Sequence, residues 1–248
     1  MGFSWLVPLV GFLTGLVGSV VGIGGGVVMV PFLNISLMLP LPLAIGTSAC
    51  VIPFAAASSM YSYAKQKSIA WRFALTLSSF ALPFTCLGAY LSKVVPQKHI
   101  ALILATVLFF ISFRIICSTL KNKGEETAEC KPRLRWFAPP VSALAGFVAG
   151  LLGIGGGAIY VPIMLPCGFT IHSAVATCSF LLFATGLTSA ISHILIGNLS
   201  LTDFLLLMPT AIIGAQLGAW KLKQIRSSFL RILFASALLL VAVRMIFR

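Results

Sequence analysis

The segment that decides the fold is Gly22-Ile-Gly-Gly-Gly-Val-Val-Met-Val-Pro31, which recurs as Gly153-Ile-Gly-Gly-Gly-Ala-Ile-Tyr-Val-Pro162. Both copies lie inside long apolar stretches. Each glycine in a helix interior costs about 1 kcal/mol relative to alanine, so consecutive glycines predict that the helix is interrupted. Such a break persists at membrane depth only where protein buries it or where it lines a polar cavity.

The two copies belong to an internal duplication of the whole chain. From Ala44 to Arg114, at least twelve residues meet identical residues 130 positions later. Upstream, Gly11-Phe12-x-x-Gly15 matches Gly146-Phe147-x-x-Gly150 at a separation of 135 positions. We therefore expect four extra residues in the first copy, within 18–21. The predicted organisation is a first transmembrane repeat at 1–120, a polar linker at 121–135 and a second transmembrane repeat at 136–248.

The composition predicts an all-α integral membrane protein. Hydrophobic residues make up 59% of the 248 residues and charged residues 8%, which leaves too little polar surface for a soluble domain. At roughly 20 residues per membrane-spanning helix, each repeat accommodates about four apolar segments, the first of them broken at the GIGGG turn. The segments are 5–39, 43–64, 72–92 and 99–118 in the first repeat, and 137–166, 172–195, 202–220 and 229–247 in the second.

The net charge of +13 lies in the loops between these segments, which is the usual orientation signal of a multi-pass membrane protein. We expect a cell (inner) membrane location with the lipid bilayer as partner, and no nucleic-acid partner. If the broken segments re-enter, the repeats are inverted and 13 of the 17 Lys and Arg residues fall on one side. If the broken segments cross the membrane, the repeats are parallel and 11 of the 17 Lys and Arg residues fall on one side. The charge rule favours the inverted arrangement, and the oligomeric state stays open.

The glycine breaks are the first candidates for a binding site. A half-helix that begins at Val27 or Ala158 presents free backbone amides and the positive end of its dipole to the break, which is an anion site made without a cation. Matching interruptions in two repeats are the best sequence indication of a transporter's binding site. We expect the two ends to face each other and to bind a small oxyanion. The candidate residues are Gly24, Gly25, Gly26, Gly155, Gly156 and Gly157.

Side chains near the second segment of each repeat could complete the shell of the anion. Thr47 and Ser48 lie there in the first repeat, and Thr177 and Ser179 in the second. A hydroxyl that bonds or caps its own helix is an equally good interpretation. Gln216 offers two further donors inside an apolar segment, where an amide more often joins two helices.

Other site chemistry is not expected. Walker A needs Lys after the glycine loop, whereas Val27 and Ala158 stand there. The six cysteines have no metal-ligand spacing, and three of the four carboxylates fall in the linker. We therefore predict no catalytic residues, no metal and no cofactor. Glycine pairs four residues apart, such as Gly11 with Gly15, are expected to permit close helix packing.

Two ionisable residues lie near the ends of apolar segments. His193 is expected to be an interfacial anchor, with a proton-carrying role as the alternative. Asp203 begins the next segment, where a carboxylate complements the helix dipole. If transport is coupled to protons, the carrier is His193, His172, Asp203 or the substrate itself.

The doubled motif Gly-Phe-x-x-Gly…Gly-Ile-Gly-Gly-Gly-x-x-x-Val-Pro, followed in each half by a threonine-containing stretch, resembles the sulfite exporter TauE/SafE family over essentially the whole chain. The resemblance implies a transporter of small anions, such as sulfite, organosulfonates or thiosulfate. Cys178 stands where the first repeat has Ser48, which departs from the pattern. The prediction is a transporter and not an enzyme, working by alternating access around a site between the repeats. The alternatives are a membrane-embedded enzyme and a non-transporting membrane assembly factor.

Overall fold

The computed structural model describes residues 6–121 and 134–221. Regular structure in these ranges is entirely helical, which confirms the all-α prediction. The expected linker at 121–135 lies almost wholly outside the described residues, and the last predicted segment, 229–247, lies outside them altogether.

The helices follow the predicted segments, with the first segment of each half divided in two. The first half contains α1 (Leu6–Val21), α2 (Gly26–Ser36), α3 (Leu41–Lys65), α4 (Trp71–Val94) and α5 (Gln97–Lys121). The second half contains α6 (Leu134–Leu152), α7 (Gly157–Met164) with a 3₁₀ turn at Leu165–Cys167, α8 (Ile171–Ile196) and α9 (Leu201–Lys221).

Four of the described helices are long and apolar enough to cross a membrane: Leu41–Lys65, Trp71–Val94, Ile171–Ile196 and Leu201–Trp220. Each of them is a second or third segment of its half. Within the described residues, the helices on either side of the glycine motifs are shorter, and α1 and α6 end at the motifs, at Val21 and Leu152.

The long helices α3 and α8 form the centre of the bundle and run antiparallel. The start of α3 meets the end of α8, where the Cα of Gly46 packs against the backbone of Asn198. At the other end, the Ser68 hydroxyl lies 3.0 Å from Nε2 of His172. Because α3 and α8 are the matching segments of the two halves, their opposite directions favour the inverted arrangement of the repeats.

Glycines allow the outer helices to pack closely across the two halves. A Cβ atom on Gly15 would collide with the Ala211 carbonyl of α9, and one on Gly146 would collide with the Ala81 carbonyl of α4. The packing role predicted for these glycines is thus confirmed. The contacts place Gly15 and Gly146 in equivalent positions, 131 residues apart, and α1 runs unbroken to Val21. The expected four-residue insertion is therefore wrong. Because the glycines of each pair are one helical turn apart, the two copies can be aligned with a shift of one turn, and that shift mimics an insertion.

Thr47 and Thr177 join the two halves and do not border the breaks. The Thr47 hydroxyl accepts a hydrogen bond of 3.0 Å from the Ser200 amide at the start of α9. The Thr177 hydroxyl accepts one of 3.1 Å from the Ala70 amide at the start of α4. Each threonine satisfies an amide at a helix N-terminus in the opposite half, which is a structural role.

Replacing Thr47 or Thr177 by valine is expected to lower the free energy of unfolding by about 1–3 kcal/mol, because each change leaves a backbone amide without its acceptor. Thermal unfolding in detergent measures the effect. Thr76→Val is the matched control, since Thr76 is exposed and donates only to its own helix, at Arg72. Equal melting temperatures for the three variants would refute this role.

Candidate functional site

The two glycine breaks have backbone conformations that favour glycine. In the first break, Gly22 and Gly24 have φ angles of 73° and 82°. In the second, Gly153, Gly155 and Gly156 have φ angles of 62°, 80° and 72°. Positive φ is readily adopted by glycine and disfavoured for residues with a Cβ atom, so the glycines themselves end one helix and start the next.

The breaks pack directly against each other at the centre of the bundle. A Cβ atom on Gly26 would lie 2.6 Å from the Gly153 carbonyl oxygen and 2.8 Å from the Cα of Ile154. A Cβ atom on Gly157 would collide with the Gly22 carbonyl oxygen. In this conformation backbone atoms of both breaks occupy the space between the two facing helix ends, so an oxyanion does not fit there without a rearrangement.

Ser48 donates a hydrogen bond to the second break, and Cys178 donates one to the first. The Ser48 hydroxyl donates a hydrogen bond of 3.0 Å to the Gly153 carbonyl, and the Cys178 thiol donates one of 3.3 Å to the Gly22 carbonyl. The two side chains thus make equivalent contacts, so the departure at Cys178 preserves the geometry. Ser48 is fully buried and holds the Gly153 carbonyl in place.

Gln216 joins α9 to α3. Its Oε1 atom lies 2.9 Å from the Ser58 hydroxyl, which donates the hydrogen bond. The interpretation of this amide as a link between helices accounts for the contact.

A small cavity of about 30 Å³ lies beside the first break, bounded by α1, α3, α8 and α9. Of the residues proposed from the sequence, Gly24, Gly25 and Ser179 line it. Three hydroxyl residues that the sequence analysis missed also line it: Thr14, Ser19 and Ser59. A volume of this size holds one or two water molecules, so the cavity is closed to a hydrated anion in this conformation.

Backbone amides at this cavity are available as donors. In the described part of the chain, the amides of residues 24–27 donate no hydrogen bond, since helical bonding into α2 starts with the Val28 and Met29 amides at the Gly25 carbonyl. The four lining hydroxyls donate to carbonyls of their own helices, as Ser59 does to Ala56. The cavity residues include no charged side chain. Donors without a fixed cation fit an anion of low charge.

Comparison with known proteins decides the family. The family model described as "Sulfite exporter TauE/SafE" matches residues 7–245. The chain belongs to the TauE/SafE family. The resemblance seen in the doubled glycine motif is confirmed, and with it the predictions of a membrane transporter that is not an enzyme.

Relatives of this TauE/SafE chain bear matching descriptions. Probable membrane transporter protein YunE of Bacillus subtilis is 30% identical over 272 residues, covering 100% of this chain and 98% of that protein. A probable membrane transporter protein of Methanocaldococcus jannaschii is 27% identical, covering 95% of this chain and 94% of that protein. Sulfite exporter TauE/SafE family protein 1 of Arabidopsis thaliana is 35% identical over 77 residues, which cover 31% of this chain and 17% of that protein. This TauE/SafE chain is a multi-pass membrane protein, and an inner-membrane location fits the bacterial relatives.

The second break of this TauE/SafE chain has no matching cavity among those described, because larger side chains stand at the equivalent positions. Tyr160 occupies the place of Met29, and Thr185 the place of Ala55. Tyr160 is fully buried, and its ring lies 3.0 Å from where a Cβ atom on Gly156 would be. The glycine motifs predicted two equivalent breaks, whereas Tyr160 and Thr185 fill the space at the second break and leave free space only beside the first among the cavities described.

His193 in this TauE/SafE chain is an interior residue. It has no exposed surface, and its Nε2 lies 3.0 Å from the Gly150 carbonyl oxygen of α6. The interfacial anchor expected from its place near the end of α8 is therefore wrong, because α6 covers that end of the helix. Asp203 lies in the first turn of α9 and accepts a hydrogen bond from the Ser200 hydroxyl.

Proposed function

We propose that this chain moves small sulfur-containing anions, such as sulfite, an organosulfonate or thiosulfate, across the cell membrane by alternating access. The observation that carries the proposal is the cavity at the first break, which is lined both by Gly24 and Gly25, whose amides donate no hydrogen bond, and by four hydroxyl residues. The substrate class is supported by the family to which the chain belongs.

The donors suit an oxyanion because its charge is spread over several oxygens that each accept hydrogen bonds. Amides at the start of α2 can donate without rearrangement, and the helix dipole adds a partial positive charge. The hydroxyls of Ser59 and Ser179 can rotate from their own carbonyls toward a ligand. A site without lysine or arginine holds its ligand weakly enough for release, as transport requires.

Alternating access is supported by the packing of helices from one half on helices from the other. α1 of the first half packs on α9 of the second, and α6 of the second half packs on α4 of the first. Each broken helix therefore moves with long helices of the opposite half. Because the cavity is closed to a hydrated anion in this conformation, we infer that α1 and α9 shift relative to α3 and α8 to open it toward one side at a time.

A thermal-shift screen of the purified protein tests the substrate class. Sulfite, thiosulfate and sulfoacetate are expected to raise the melting temperature by several degrees, because a ligand at 100 times its Kd that binds only the folded state stabilises it by about 2.7 kcal/mol. The comparison ligands are acetate, which carries a carboxylate in place of a sulfur oxyanion, and taurine, a sulfonate whose ammonium group makes its net charge zero. Equal shifts with acetate, or no shift with any sulfur oxyanion, would refute the proposed substrate class. A membrane enzyme would convert its ligand, and an assembly factor would show no flux in liposomes.

A further inference from the structure

Three buried side-chain atoms of the second half have no hydrogen-bond partner among the described residues: the Tyr160 hydroxyl oxygen, the Ser189 hydroxyl oxygen and Nδ1 of His193. All three residues are at most 3% exposed. Thr185, Ser189 and His193 follow one another at intervals of four residues, so they share one face of α8 on successive turns. The Tyr160 hydroxyl lies beside Thr185. A polar column therefore runs from the second break along α8 to His193.

The hydrogen bond of His193 settles which ring nitrogen carries the proton. A carbonyl oxygen only accepts hydrogen bonds, so the contact with Gly150 requires a proton on Nε2. In the neutral imidazole, Nδ1 then holds a bare lone pair. That lone pair is buried and has no donor among the described residues. It is a vacant position for one proton in the interior of the bundle.

The first half has no such vacancy at the equivalent position. Tyr63 stands 130 residues before His193, and its hydroxyl donates a hydrogen bond of 2.9 Å to the Ser19 carbonyl. Ser19 is the counterpart of Gly150, so both halves use the same backbone acceptor. The Tyr63 hydroxyl uses its only proton in this bond, whereas the His193 ring has a second nitrogen, which is basic. Ser59, the counterpart of Ser189, is also satisfied, because it donates to Ala56.

The surroundings of His193 lack a fixed negative charge. The helices packed against α8 are α1, α3, α4, α6 and α7. The cationic residues on these helices whose side chains the structure describes are Lys65, Arg72 and Lys93, and all three are exposed; none of the described residues on these helices is a carboxylate. Asp203 belongs to α9 and is bonded to Ser200. The other titratable groups on these helices and on α8 itself are the exposed Tyr61, Cys86 and Tyr90, the partly buried His172 and the buried Cys50, Tyr63, Tyr160 and Cys178.

We propose that Nδ1 of His193 binds a proton during the transport cycle and that the polar column of Tyr160, Thr185 and Ser189 connects it to the second break. This inference rests on the proposed anion transport. A proton from water adds to the Nδ1 lone pair and gives an imidazolium that keeps its bond to Gly150. Its release to the other side restores the neutral ring, and no other bond changes. With no carboxylate nearby, the bound anion supplies the compensating charge, so anion and proton favour each other's binding.

Nitrogen NMR of histidine-labelled protein tests the proton site directly, because the chain has only three histidines. Above pH 8, His193 is expected as the neutral ring with hydrogen on Nε2. Added sulfite is expected to move its protonation midpoint upward by about one pH unit, which corresponds to a tenfold coupling. A hydrogen on Nδ1 in the neutral ring, or a midpoint that sulfite leaves unchanged, would overturn the proposal. His99→Gln and His172→Gln assign the remaining signals.

His193→Tyr gives an independent test, because it restores the arrangement of Tyr63 in the first half. The tyrosine hydroxyl can donate to Gly150, so the fold is expected to persist while the vacant nitrogen disappears. Sulfite flux that rises as pH falls in the wild type is expected to become independent of pH, with sulfite-induced stabilisation at high pH retained. The matched control is His99→Gln at an exposed position. A pH-dependent flux in His193→Tyr equal to that of the wild type would overturn the proposal, whereas absent flux and stabilisation in the wild type would instead refute the proposed function.

Discussion

The double substitution Met29→Tyr with Ala55→Thr is expected to abolish ligand-induced stabilisation by sulfite and to reduce flux at least 100-fold. These residues line the cavity at the first break, and the substitutions introduce the side chains that fill the equivalent space at the second. A tyrosine ring occupies far more than the 30 Å³ of free space. Ligand-induced thermal shift and liposome flux measure the result.

The reciprocal substitution Tyr160→Met with Thr185→Ala is the matched control for volume and composition. It empties space at the second break and leaves the first break unchanged. Sulfite-induced stabilisation is expected to remain, although the melting temperature without ligand falls because a buried ring is removed. If this control lost the ligand response and the first double variant kept it, the site would lie at the second break.

Gly26→Val and Gly157→Val are expected to destabilise the protein by about 3 kcal/mol or more, the upper range for overpacking a close-packed core. Each side chain would displace backbone of the opposite break, at Gly153 and Gly22 respectively, and backbone cannot rotate away as a side chain can. Thermal unfolding in detergent and expression level measure the effect. Gly197→Asn is the control, because Gly197 has a φ of 85°, which asparagine tolerates, and open space where a Cβ atom would be. Valine variants as stable as this control would show that the breaks do not need their close contact.

The position of the helix breaks could be predicted from the sequence because the preference is local. Glycine disfavours the helix at residues 22–26 and 153–157 whatever surrounds it, and α2 and α7 begin at Gly26 and Gly157. Close packing at Gly15 and Gly146 was predictable for the same reason, since small residues at helical spacing admit a neighbouring backbone.

The roles of the individual hydroxyls could not be predicted, because their partners lie far away along the chain. Thr47 meets Ser200, 153 positions later, and Ser48 meets Gly153, 105 positions later. The sequence shows a hydroxyl near a break but does not show which backbone group it satisfies. His193 illustrates the same limit, since only the packing of α6 makes its position interior.

The difference between the two breaks was visible in the sequence but had no evident meaning there. Met29 and Tyr160 stand at matching positions of the two copies, as two apolar residues compatible with either half-helix. Their importance comes from volume in three dimensions, where tyrosine fills a space that methionine leaves open. The cavity hydroxyls of Thr14, Ser19 and Ser59 carry a weak signal in the sequence, namely polar residues on predicted membrane helices near the first break.

Sulfite flux in liposomes shows whether the anion binds at the first break, when the wild type, the filled variant Met29→Tyr/Ala55→Thr and the opened variant Tyr160→Met/Thr185→Ala are compared at equal protein density. We expect flux in the wild type and the opened variant and loss of flux in the filled variant, with all three proteins folded. Flux at the wild-type rate in a folded filled variant would contradict a binding site at the first break.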